Sequence, residues 1–137
     1  MDTADLEQYI DYVRVFDQPE QLNRWWISIG EPLDAAQSQQ IRIRENYLPG
    51  CQNPVWIAGS QTQGTWQFQI DSHSRVTLGV GKMLKDVYNN KTATKIKQIT
   101  YHDFKPVAQT FSVPKQRGLQ MMINRIHNIV DNKEQQQ

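Results

Sequence analysis

One cysteine among 137 residues rules out much at once. A lone thiol can form no internal disulfide, no Cys-x-x-Cys redox pair and no multi-thiolate zinc or cluster site, so any disulfide or persulfide at Cys51 has to be intermolecular. Charge of one sign is also missing: fifteen Lys and Arg stand against fourteen Asp and Glu. Without the dense basic stripe that phosphate neutralisation needs, nucleic acid is not an expected partner. Lys82, Lys85, Lys91, Lys95 and Lys97 are scattered as on a solvated helix surface. No stretch approaches the roughly 20 apolar residues that span a bilayer, and Met1-Asp2-Thr3-Ala4-Asp5 is acidic where a signal peptide is basic. No membrane association is expected, and the expected location is the cytoplasm. No internal repeat is visible, and three histidines about 25–30 residues apart have no metal-ligand spacing. Neither a metal nor a cofactor is expected.

What is present fits one domain over residues 1–131, followed by a polar tail, 132–137, with nothing apolar to bury and therefore expected to fray. Leu6, Tyr9, Ile10 and Val13 recur at helical spacing and predict a first helix over roughly 4–15. Asp17 is positioned to cap a second, with Leu22, Trp25, Trp26 and Ile29 on it and Gly30 and Pro32 ending it. A short helix is possible around Ala35–Gln40. Three short strands are expected, at 46–50, Val55–Gln61 and Thr65–Ile70; the strict alternation of Trp66, Phe68 and Ile70 with Gln67 and Gln69 is the mark of a half-buried strand. Asp71 or Ser72 then caps a helix over roughly 73–88, in which Gly79 and Gly81 indicate close packing against the sheet or the Cys51 loop. A short helix within 92–99, another after Tyr101-His102-Asp103, and a last helix from Pro114 carrying Leu119, Met122, Ile123, Ile126 and Ile129 complete the chain. The expected fold is α+β, a small three-stranded antiparallel sheet with helices on one face.

Cys51 lies in Tyr47-Leu48-Pro49-Gly50-Cys51-Gln52-Asn53-Pro54-Val55-Trp56, between two apolar stretches. A free cysteine is often simply a small buried hydrophobe. Here its neighbours are turn formers: two prolines restrict φ and Gly50 permits conformations closed to other residues, which suits a thiol held at the tip of a turn.

The same window resembles a known family. Gly50-Cys51-Gln52 followed by Val55-Trp56-Ile57 is similar to the Gly-Cys-Gln-Ser-x-Val-Trp signature of the SufE-type sulfur acceptors. The likeness runs from roughly Tyr9 to Val130 in family order. Phe16-Asp17 through Leu22, Trp25 and Ile29-Gly30-Glu31-Pro32-Leu33 resembles the family's second helix and its exit. Asp71-Ser72 with Gly79 resembles its Asp-Ser-Asp-Ala segment, and Arg117-Gly118-Leu119 its Asn-Gly-Leu helix start. Departures are local: Asn53 then Pro54 where the family has Ser, His73 for an acidic residue, Leu78 for a basic one, Lys115 for Arg and Arg117 for Asn. The resemblance implies a SufE/IscU-like fold and a carrier rather than a stand-alone enzyme. In that role Cys51 takes persulfide sulfur from a PLP-dependent cysteine desulfurase, stimulates it, and passes the sulfur to a downstream iron–sulfur scaffold. It implies that Gly50, Gln52, Asn53, His73, Lys115 and Arg117 serve binding around the thiol. A single cysteine agrees with carriage, since a second nearby thiol would resolve the persulfide into a disulfide.

Two other function classes stay open on the sequence. A binding adaptor could use Trp56, Trp66 and the Cys51 turn as a partner surface with the thiol incidental. A thiol hydrolase would need a base beside sulfur, and His73, His102 and His127 are the imidazole candidates, none with a local catalytic signature.

Overall fold

The computed structural model describes residues 4–31 and 40–135. Two N-terminal helices, α1 (Ala4–Val13) and α2 (Pro19–Gly30), precede an antiparallel hairpin, β1 (Val55–Thr62) and β2 (Thr65–Ser72). Helix α3 (Arg75–Tyr88), the short α4 (Ala93–Gln98) and α5 (Lys105–Ala108), and a long α6 (Val113–Gln135) follow. The possible helix around Ala35–Gln40 lies almost wholly outside the described residues.

The helical stripes form as their spacing predicts. Leu6, Tyr9 and Val13 of α1 are buried, as are Leu22 and Trp26 of α2, and the Tyr9 and Trp26 rings stack at 6.3 Å. Adjacent Trp25 points to a different face and is only partly buried. Asp17 is not the cap of α2: Gln18 holds that position, without a side-chain hydrogen bond, and Pro19 opens the helix with its fixed φ. Helix α3 is capped by Ser74, whose hydroxyl accepts from the Thr77 amide, and not by Asp71 or Ser72.

Helices α2 and α3 meet backbone to backbone. A Cβ on Gly79 would lie 2.0 Å from the Trp26 carbonyl oxygen, and one on Gly30 2.5 Å from the Gly79 nitrogen. Gly79 therefore serves α2, and Gly81, whose Cβ would lie 2.9 Å from Ile70, is the one that serves the sheet.

Among the described residues the sheet has two strands rather than three. Register pairs Ile57 with Ile70 and Gly59 with Phe68, and Gln63 (φ 53°) and Gly64 (φ 83°) make the two-residue turn, both in the left-handed region that such hairpins favour. The expected strand at 46–50 is reduced to one bridge, Tyr47 to Trp56, because Arg44–Asn46 is a 3-10 turn and Pro49 has no amide to donate. The outer edge of β2 is engaged by the segment after α3: the Trp66 amide donates to Lys91 O, and the Phe68 amide to Asn89 Oδ1. Helices α3 and α6 cover the sheet face bearing Gly59 and Ile70, with Ile129 of α6 against Gly59 and Gly81 of α3 against Ile70.

Helix α6 continues to Gln135, into the stretch whose composition predicts fraying, and Asp131, just before that stretch, pairs with Lys97. His127, which stands among polar neighbours in the sequence, has its Nε2 2.8 Å from the Ile99 carbonyl and its ring edge-on to Tyr88.

Candidate functional site

The Cys51 turn is a six-residue loop between two fixed posts. On one side the buried Leu48 donates its amide to Val55 O at 2.8 Å, and the Arg125 guanidinium reaches Tyr47 O at 3.2 Å. On the other side Ser72 Oγ donates to Pro54 O at 2.7 Å while accepting from the Ser74 amide at 3.1 Å. One buried hydroxyl thus ties the exit of the loop to the start of α3. Asp71, fully buried, accepts from the Ser72 amide and is paired with Arg42, whose guanidinium also lies 5.1 Å from the Trp56 ring centroid. Removing one partner of such a pair leaves an uncompensated buried charge, so Arg42 and Asp71 hold each other and the strand end in place.

Between the posts, Gly50 takes φ +96°, a conformation that L side chains rarely adopt. Cys51 follows, half-buried against the core, over a cavity of about 60 Å³. The walls come from three elements: Val76 and Val80 of α3, Lys115, Gly118 and Leu119 of α6, and Phe111 before it. Burial raises the Cys51 pKa above its ordinary value, so in this conformation the sulfur is held as a thiol. Lys115 lines the same cavity, but desolvation and not its charge dominates at the sulfur.

Of the residues singled out from the sequence, the cavity gathers Cys51, Gln52, Asn53 and Lys115. Gly50 adjoins it through the turn. Arg117 is exposed outside the lining, and His73 is exposed at the loop's post, its ring 5.3 Å from that of Trp56. Among the described residues the lining contains no imidazole and no carboxylate. A hydrolase base within hydrogen-bond reach of sulfur is therefore not provided there. Contributors not marked as site residues by the sequence include Phe111 and Gly118 in the lining and Met121 beside it, against Gly50. Gly118 alone carried a signal, since a glycine inside a helix costs about 1 kcal/mol against alanine and here relieves no clash: a Cβ on it would have nothing within 4 Å.

Fold and site together define a small α+β protein with one loop-borne thiol above an apolar cavity. The fold is shared with the solution structure of a hypothetical protein from Thermus thermophilus, with a TM-score of 0.74 over 93% of this chain and 94% of that one at 11% identity. Residues 7–130 match the model of the SufE family, the Fe-S metabolism associated domain, and the chain belongs to that family. Its association is with iron–sulfur metabolism.

Proposed function

We propose that the protein is a sulfur carrier: Cys51 accepts a sulfur atom from the persulfide of a cysteine desulfurase and delivers it for iron–sulfur cluster assembly. The observation that carries this reading is the placement of the chain's sole thiol on a post-anchored turn over a small apolar cavity. In the transfer, the Cys51 thiolate attacks the terminal sulfur of the donor's persulfide. The donor's S–S bond breaks as the new one forms on Cys51, and the donor cysteine leaves as a thiolate that takes up the proton lost by Cys51. No net oxidation occurs, so no cofactor is required of this chain. The raised pKa fits the free state, in which the sulfur is sheltered from oxidants and reductants until a partner approaches. Gln52 and Asn53, exposed beside the thiol, and the ammonium of Lys115 are the groups available to a docked partner, with Arg117 and His73 further out.

The test is incubation with a cysteine desulfurase and free cysteine. The expected product is a gain of one sulfur atom in mass on Cys51, with faster sulfide release by the desulfurase. Cys51→Ser should abolish both while leaving the fold unchanged. Full stimulation by that variant would replace the carrier by an adaptor in which the thiol is incidental.

A further inference from the structure

Met121 lies on α6 one turn beyond Gly118, half-buried, outside the cavity lining but directly against the Cys51 loop. A side chain at residue 50 would begin 2.5 Å from the Met121 Cε and 3.4 Å from its Sδ. The thioether methyl therefore occupies the notch that the absent side chain of Gly50 leaves. The two posts of the loop are fixed by hydrogen bonds at Leu48 and Pro54, whereas this contact holds the tip. Methionine suits a contact that must be made and broken, being unbranched, polarizable and conformationally adaptable.

We propose that Met121 is a positioning residue: its methyl, seated at Gly50, holds the turn closed with Cys51 sheltered, and its displacement is the step that exposes the thiol. This rests on the carrier reading for its purpose, and on geometry alone for its existence. Among the described residues the charged group on the cavity wall is Lys115, so opening the turn exchanges an apolar surrounding for water near that cation. Losing the contact frees one to two methylene-sized groups from burial, which corresponds to about a tenfold rise in the open population.

The experiment measures the rate at which free protein reacts with an aromatic disulfide, across pH, for the native chain, Met121→Ala, Met121→Gln and Met121→Leu. The expected result is about a tenfold faster reaction for the Ala and Gln variants, a lower midpoint in their pH–rate profiles as the sulfur becomes hydrated, and near-native behaviour for Leu. Circular dichroism and urea midpoints establish folding; since Met121 is not among the fully buried residues of α6, at least the near-isosteric Gln variant should fold. Native rates and an unshifted profile in the folded Ala or Gln variant overturn the proposal. Fast reaction of these variants, with no sulfur accepted from a desulfurase by any form including the native one, would keep the latch and overturn the carrier reading instead.

Discussion

Gly118→Ala should move stability and function in opposite directions. Gly118 sits inside α6, where glycine costs about 0.8–1 kcal/mol relative to alanine through the backbone entropy it loses on folding. Its Cβ would meet no atom within 4 Å, so no steric cost offsets the gain. The variant should therefore be more stable by about 1 kcal/mol, which for a chain of this size is a rise in Tm of about 3–5 °C. Gly118 also lines the cavity under Cys51, so the added methyl sits at its wall. A methyl group is about water-sized, so one added at the lining takes up space in a cavity of about 60 Å³. If that space receives the transferred sulfur, the stabler variant is the poorer acceptor. Urea denaturation gives the first quantity, and the mass gain of Cys51 with a desulfurase and cysteine gives the second. A destabilised variant would refute the reading of open space at Gly118, and a stabilised one that accepts sulfur at the native rate would refute the role of the cavity.

Two further outcomes follow from other positions. Burial raises the Cys51 pKa, so above the ordinary cysteine pKa of about 8.5 the native state binds more protons than the unfolded one and stability falls as pH rises. Urea midpoints measured from pH 7 upward should show this slope, and Cys51→Ser should flatten it; equal slopes would contradict the sheltered thiol. Gly79→Ala, by contrast with Gly118→Ala, should cost about 3 kcal/mol or more, because its Cβ would meet the Trp26 carbonyl at 2.0 Å and two packed helix backbones would have to part. A native urea midpoint for that variant would show that α2 and α3 separate without cost.

The sequence made the local features legible and hid the distant ones. Alternation at Trp66, Phe68 and Ile70 revealed a strand because burial on one face repeats every two residues. The turn at Cys51 was legible for a similar reason, its conformation being set by its own Gly and Pro. Asp71 reads in sequence as a helix cap, yet it is the buried partner of Arg42, twenty-nine positions earlier. His127 stands among polar neighbours in the sequence, yet it meets a carbonyl twenty-eight positions away. The missing third strand is a subtler failure: Tyr47 and Leu48 have strand character, but the 3-10 turn before them and Pro49 after them leave room for one bridge only. Met121 was indistinguishable from Met122 without knowing which face of α6 meets the loop, and that is decided by tertiary packing.

The anchoring of Leu48 to Val55 also fixes a length. Cys51 is three residues from Leu48, and an extended chain covers about 3.3–3.6 Å per residue, so its Cα can travel no farther than about 10 Å from that post however the turn opens. The thiol is on a short tether. A donor whose reactive sulfur lies at the bottom of a narrow cleft deeper than this reach plus the length of the cysteine side chain cannot be reached by a rigid approach of the two bodies. For the proposed transfer, such a donor has to bring its sulfur outward on a moving segment of its own, and the two loops then meet between the proteins.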